Sequence, residues 1–221
     1  MIEPNETIAI DGPPASGKTT VGRALARRLG YRFLDTGILY RALTWCLLQT
    51  GTDLADPLAI ARAAKEVSLT LRPTTKASWS VCVQERELSE AELRSPQVDA
   101  AVSQVSSVPE VREQLRGLQR ALAKAGHVIM AGQDIGSVVL PDAPVKVYLE
   151  ASLEERVRRR SRQSGKAAEI GASLARRSSL DAARAVSPLA PARDAHVINT
   201  DAFTVEQVVT QIIAIVRRSD S

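Results

Sequence analysis

The sequence predicts an α/β fold with a central parallel sheet of five strands, and three observations carry that prediction. Its main strand candidates are short, continuous apolar runs, as in strands buried on both faces. Helical patterns follow these runs along the chain, an order that demands parallel strands joined by right-handed crossovers. Between the first strand and the first helix stands "GPPASGKT", residues 12–19, a glycine-bounded loop of the form G-x-x-x-x-G-K-[ST].

The elements follow in order. "TIAIDG" (7–12) is an apolar run ending in glycine. "TTVGRALARRLG" (19–30) then repeats an apolar residue every fourth position, at Val21, Leu25 and Leu29, until Gly30 closes the helix. "YRFLDTG" (31–37) reads as a second strand and "ILYRALTWCLLQTG" (38–51) as a helix. Residues 67–98 break the rhythm: "VSLTLRP" and "WSVCVQERELS" alternate apolar with polar residues, the mark of a small antiparallel excursion. Three further buried-strand candidates are "HVIMAG" (127–132), "VKVYLEA" (145–151) and "AHVINT" (195–200). Helical patterns follow the last two of these. The final helix opens on Thr204 as a cap and ends on Arg217 and Arg218, which suits the helix dipole. Residues 161–180, rich in Ser, Gly and basic side chains, read as a helical flap.

Composition narrows the class. The chain of 221 residues suffices to bury a core without staples. Only 3% of it is aromatic, so that core must be aliphatic. Cys46 and Cys82 lie far apart in apolar surroundings; they form no disulfide framework and suit a reducing cytoplasm. His127 and His196 begin strand-like runs and lack metal-ligand spacing. There is no signal peptide, and no apolar run approaches the roughly 20 residues of a membrane span, so a cytoplasmic protein is expected. The net charge of +4 is concentrated in arginines between 156 and 184, where positive charge can meet phosphates.

The glycine-bounded loop carries the first chemistry. Chance alone would yield its pattern with a probability on the order of one percent, and its place after a strand and before a helix strengthens it. The residues of the cradle are Gly12, Pro13, Pro14, Ala15, Ser16, Gly17, Lys18, Thr19 and Thr20. Glycines let the backbone wrap an anion with its N–H groups inward, and the helix N-terminus adds partial positive charge. Lys18 bridges the terminal phosphates of a nucleoside triphosphate, and the Thr19 hydroxyl is offered to Mg²⁺. GTPase, motor, ATPase and small-molecule kinase all use such a loop. The chain has no N-K-x-D base-reading motif, and "HVIMAGQD" does not end in the Asp-Glu pair of many motors. A kinase needs a second anion pocket, and "FLDTGILYRAL" (33–43) offers one. Thr36, Tyr40 and Arg41 there begin a helix at a strand end, with Arg41 able to fork onto a phosphate.

These stretches resemble the bacterial cytidylate kinases, nucleoside monophosphate kinases that phosphorylate CMP and dCMP with ATP. The resemblance runs through "IAIDGPPASGKTTVGRALA", "FLDTGILYRAL", "SPQVDAAVSQVSSVPEVREQLRGLQR", "GQDIGSVVLPDAPVKVYLEAS" and "ARAVSPLAPARDAHVINT". It implies a P-loop three-layer fold in one kinase domain spanning 1–221. The core is about 1–66, 99–155 and 185–221, with an inserted monophosphate-binding subdomain at about 67–98 and a helical lid at about 156–184. Thr36, Ser103, Arg112 and Asp134 match residues around the cytosine, where a carboxylate can accept from the exocyclic amine. Tyr40, Arg177 and Asp181 match residues near the sugar, and Arg41 and Arg184 match holders of the acceptor phosphate. Arg156 and Arg160 match donor-side arginines at the root of the lid, so that Lys18, Arg156, Arg160, Arg177 and Arg184 make up the catalytic charge. The implied protein acts as a monomer on free nucleotides, with ATP and Mg²⁺, and binds neither nucleic acid nor membrane.

Two departures stand out. The residue before Asp134 is normally arginine in the family and here is Gln133, which donates one hydrogen bond but brings no charge. A lost charge-assisted bond is worth about 1.5–3 kcal/mol, roughly 10- to 150-fold. Ser178 and Ser179 stand where charged residues usually follow the lid arginine. The expected reaction is transfer of the γ-phosphoryl group of ATP to CMP or dCMP. The rivals are a kinase for UMP or another pyrimidine monophosphate, a nucleotide-binding protein with little turnover because of Gln133, and a nucleic-acid-stimulated ATPase. Gly132 and Gly136 are expected to let the chain turn at the strand end that carries Asp134.

Overall fold

The computed structural model describes residues 7–75, 78–164, 171–172, 174–175, 179 and 189–219. It divides into two compact units, one of Met1–Leu34 with Ala123–Ser221 and one of Asp35–Leu122.

The first unit opens with β1 (Thr7–Asp11), buried along its whole length. After the glycine-bounded loop, α1 (Lys18–Leu29) begins behind Gly17. It stops at Gly30, whose left-handed backbone (φ 73) directs its N–H to the Ala26 carbonyl. Val21, Leu25 and Ala26 form the buried face of α1. Gly22, on the same face, approaches Phe33 so closely that a Cβ would overlap the ring. Phe33 belongs to β2 (Arg32–Asp35).

The second unit contains α2 (Gly37–Gln49), α3 (Pro57–Lys65), β3 (Leu69–Thr75), β4 (Ser78–Val83), β5 (Arg86–Glu87), α4 (Glu90–Leu93), α5 (Pro96–Val105) and α6 (Pro109–Ala123). The strands make an antiparallel meander in the order β3-β4-β5, pairing Leu69 with Val83 and Leu71 with Val81. Gln84 and Glu85 link β4 to β5 with φ 46 and 69, the two left-handed residues that a tight hairpin turn requires. The helices start where the local chemistry dictates. Asp56 accepts from the Leu58 N–H at 2.8 Å ahead of Pro57, Ser89 and Glu92 form a reciprocal cap, and Pro96 opens α5. Leu39, Leu43, Leu47, Ile60, Val105 and Val111 lie at the centre of this unit's aliphatic core.

The chain returns to the first unit through β6 (Val128–Ala131), a π-helical turn at Ile135–Val139, β7 (Val145–Glu150), α7 (Leu153–Ser164), β8 (His196–Asn199) and α8 (Val205–Ser219). The five strands of the central sheet stand in the order β2-β6-β1-β7-β8, with parallel ladders joining β1 to β6, β1 to β7 and β7 to β8. The apolar runs account for this arrangement. β1, β6 and β7 are buried throughout or nearly so, whereas β8, at the edge, buries only Ile198. Val208, Val209, Ile212 and Val216 of α8 join α1 and the sheet in one core cluster. Each such side chain contributes about 1.5–3 kcal/mol relative to exposure.

This topology selects one place for a ligand. From β1 the chain crosses over β6 to β2, while from β6 it crosses over β1 to β7, in the opposite direction along the sheet. The reversal leaves a crevice at the carboxyl ends of the strands. Residues 12–17 leave from β1 there and residues 132–134 from β6, and the Gly132 N–H donates to the Ile10 carbonyl at 3.0 Å. Among the described residues, no helix is long and apolar enough to cross a membrane.

Candidate functional site

The loop from Gly12 to Gly17 takes a backbone path that ordinary residues avoid. Gly12 has φ 146, and a Cβ there would run into the Leu149 carbonyl and come within 2.9 Å of Ser16 Oγ. Ala15 and Gly17 are also left-handed, at φ 64 and 102. For alanine that conformation costs about 1 kcal/mol. Alternating left-handed residues at a helix N-terminus turn successive N–H groups toward one concavity, the geometry that cradles an anion. Lys18 folds back across the loop, its ammonium donating to the carbonyls of Gly12 at 2.7 Å and Pro13 at 2.8 Å. Thr19 is half-buried on the first turn of α1, and Thr20 is exposed.

The same loop is held from behind by α7 and the end of β8. Arg159 donates to the Ser16 carbonyl at 3.1 Å and to Thr200 at Oγ1 (3.0 Å) and the carbonyl (2.7 Å). Its Nε donates to Glu155 at 2.7 Å. Thr200 Oγ1 lies 3.2 Å from the Ser16 carbonyl and 2.9 Å from that of Glu150. Hydrogen bonds from Arg158 and then Arg159 hold the Glu155 carboxyl down at about 2, so it stays ionised beside them. Arg156, one turn earlier, is buried and donates to the Pro14 carbonyl at 3.4 Å. Burial pulls its pKa below the usual guanidinium value. Arg160 shares its helix face at i, i+4 and is half-buried. Arg177, Asp181 and Arg184 lie outside the described residues.

At the neighbouring strand end Asp134 is buried and Gln133 half-buried. The Asp134 carbonyl accepts from Val138 at 2.9 Å and Val139 at 3.0 Å, starting the π-helical turn. Asp11 lies beneath it: its two carboxylate oxygens accept from the Ile135 and Gly136 N–H groups, each at 2.7 Å. Burial pushes the Asp11 pKa up to about 6, against the pull of these two N–H groups and Lys18, with Asp134 pushing the same way as burial. A carboxyl raised in this way favours the folded state most below its ordinary value, and that contribution is lost as pH rises through about 6. Gly136 differs from the expectation of a flexible turn glycine. It is absent from the left-handed glycines; instead a Cβ there would come within 3.2 Å of the Lys146 stem and 3.4 Å of Asp11 Oδ2. Close approach, and not a left-handed backbone, favours glycine at that position.

The expected acceptor residues of the second unit also come together. Arg41 donates to the Leu93 carbonyl at 2.9 Å and pairs with Asp99 at 2.6 Å. Asp99 and Ser103 are one turn apart on α5 and share a face. Arg112 is buried, stacks 5.4 Å from the centroid of the Tyr40 ring and donates to the Ser106 carbonyl at 3.1 Å. Ser106 Oγ in turn donates to the Ser103 carbonyl at 3.1 Å. Thr36 is buried at the start of α2.

Sequence reasoning passed over Asp11, Arg159, Thr200 and Asp99. Asp11 ended a strand and Arg159 sat in a run of basic residues, so neither position stood out. If Arg159 fixes the loop, Arg159→Lys keeps the charge but loses the fork. Loss of one charge-assisted bond, about 1.5–3 kcal/mol, should weaken ATP binding roughly 10- to 150-fold. Calorimetric titration checks this, and an unchanged affinity would show that the loop holds itself.

The family model described as cytidylate kinase matches residues 8–218. The cytidylate kinase of Nocardia farcinica is 45% identical over 221 residues, covering 97% of this chain and 94% of that protein. That of Mycolicibacterium paratuberculosis is 46% identical over 218 residues, with 96% and 95% covered. That of Pelotomaculum thermopropionicum is 43% identical over 213 residues, with 94% of each covered. Among solved structures, the chain is similar to shikimate kinase from Acinetobacter baumannii in complex with shikimate. The identity there is 18% and the TM-score 0.49, over 96% of this chain and 93% of that one. The chain belongs to the cytidylate kinase family, and its reaction is phosphoryl transfer from ATP to CMP or dCMP.

Proposed function

We propose that this reaction proceeds by direct in-line transfer, with each residue in the role its chemistry suits. The observation that carries the reading is the loop at Gly12–Thr19, whose left-handed backbone and folded-back Lys18 suit a polyphosphate. Little covalent chemistry is required of the protein in phosphoryl transfer; positioning and neutralisation of charge do most of the work. Lys18, released from the Gly12 and Pro13 carbonyls, follows charge onto the transferring group. Arg156 and Arg160 of α7 serve the donor side, with Arg177 and Arg184 assigned to the closed lid of about 156–184. Closure would exclude water, which would otherwise take the phosphoryl group.

The acceptor falls to other groups. Arg41 and Arg184 suit its phosphate, and Tyr40, Arg177 and Asp181 its sugar. Thr36, Ser103, Arg112 and Asp134 suit the cytosine edge. A carboxylate at 134 accepts from the exocyclic amine, and a base without that amine leaves it unpaired, which is how such a site discriminates. The inserted strands at about 67–98, which fall within the unit Asp35–Leu122, are read as the monophosphate-binding subdomain.

Mg²⁺ fits the donor set. Thr19 offers one hard oxygen, and among the described residues no group of three or more His, Cys, Asp or Glu could hold a metal by itself. Such a site suits an ion that keeps its waters and takes phosphate oxygens. When bound it would neutralise charge on the phosphates, while Thr19 and the loop orient them. We read the protein as a cytoplasmic monomer that acts on free nucleotides. Supporting this, Cys46 and Cys82 are free and buried, and Arg158 and Arg159 of the basic helix are engaged with Glu155.

Two experiments test the reading. Coupled ADP release across CMP, dCMP, UMP and AMP should give the highest kcat/KM with CMP or dCMP; equal turnover of UMP or AMP would overturn it. Replacing Gln133→Arg should raise kcat/KM for CMP by roughly 10-fold or more, since it adds a charge-assisted bond. Unchanged kinetics would mean that another group already supplies this charge.

A further inference from the structure

We infer that Asp11 is a positioning residue for acceptor selection, acting through the backbone that carries Asp134 rather than through the phosphates. The inference rests on the reading of Asp134 as the group that meets the acceptor base.

The geometry is specific. Asp11 is 3% exposed, and its carboxylate spends both oxygens on the two peptide N–H groups that directly follow Asp134, at 2.7 Å each. A carboxylate that accepts two adjacent N–H groups fixes the orientation of both peptide planes, and so the direction in which the preceding residue leaves the backbone. A Cβ at Gly136 would come within 3.2 Å of the Lys146 stem and 3.4 Å of Asp11 Oδ2, so the turn passes close to both β1 and β7. Lys146 is itself committed to Asp194 at 2.6 Å and to the Pro141 carbonyl. The turn is therefore held by hydrogen bonds from β1 and packed against the Lys146 stem of β7, and Asp134 opens it with φ −145 and ψ 25.

Nothing in this arrangement requires Asp11 to touch a nucleotide. It precedes the phosphate loop in sequence, yet both of its carboxylate oxygens are taken by N–H groups of the Asp134 turn. The charged groups about it are Lys18 and Asp134, and across the ladder on β7 stands Tyr148, whose phenol burial keeps neutral. Asparagine matches its shape but replaces one accepting oxygen with an NH₂ donor, which would face a peptide N–H. One of the two peptides must then rotate, and Asp134 with it.

The test compares Asp11→Asn, Gly136→Ala and Asp134→Asn with the parent enzyme. Gly136→Ala disturbs the same turn from its other face and serves if Asp11→Asn fails to fold. KM for CMP, KM for ATP and the ratio of kcat/KM for CMP over UMP are measured for each. Asp11→Asn should raise KM for CMP at least 10-fold, leave KM for ATP within about 2-fold, and lower the CMP/UMP ratio; Gly136→Ala should move the same quantities in the same direction. An equal rise in both KM values, or an unchanged CMP/UMP ratio, would overturn the inference. Asp134→Asn separates the two readings. If it leaves the ratio unchanged, base reading by Asp134 is wrong. If it lowers the ratio while Asp11→Asn and Gly136→Ala do not, only the role given to Asp11 is wrong.

Discussion

A loop that binds phosphate with its own backbone must hold peptide groups in conformations they would not choose. Here Gly12, Ala15 and Gly17 are all left-handed, and Ala15 lacks the freedom of glycine. Such a loop is stable only if its outward-facing carbonyls are held as firmly as its inward-facing amides are exposed. Arg159 and Thr200 converge on the Ser16 carbonyl, Arg156 reaches that of Pro14, and Lys18 closes over Gly12 and Pro13. The helix that supplies those arginines, the strand end that supplies Thr200 and the sheet beneath serve this one constraint.

The turn at Asp134 follows the same logic with opposite charge. Its amides are held by the Asp11 carboxylate, which is buried enough that its pKa rises to about 6. Folding accepts that desolvation because two backbone donors would otherwise be buried unpaired. A buried acid and a half-buried arginine thus do equivalent work at adjacent strand ends. Each fixes peptides that a nucleotide is expected to meet.

Much of this was legible in the sequence, and the failures share a cause. The five sheet strands were legible in the sequence, β1, β6 and β7 as apolar runs because burial on two faces leaves a local pattern, although edge strand β8 buries only Ile198. The β3-β4-β5 meander was legible as an alternation of apolar and polar residues. The G-x-x-x-x-G-K-[ST] loop was legible for the same reason. Arg159 was not, since a run of arginines does not say which one turns toward Thr200, 41 positions away. Nor was the π-helical turn, which depends on Asp11, 124 positions upstream of Ile135. Gly136 looked like a turn residue because sequence cannot distinguish a need for left-handed backbone from a need for space. Local chemistry can be read along the chain; contacts closed by the fold cannot.

Arg159 and Thr200 converge on the Ser16 carbonyl and so hold the phosphate loop as one unit. A double-mutant cycle on ATP affinity tests it most directly, with Arg159→Lys, Thr200→Val and the pair measured by calorimetry. Thr200→Val keeps the shape of the side chain and removes only its hydroxyl. Each single change should weaken ATP binding and the pair should cost little more than the worse one, a coupling of about 1 kcal/mol or more. Strict additivity, or parental affinity in Thr200→Val, would contradict it.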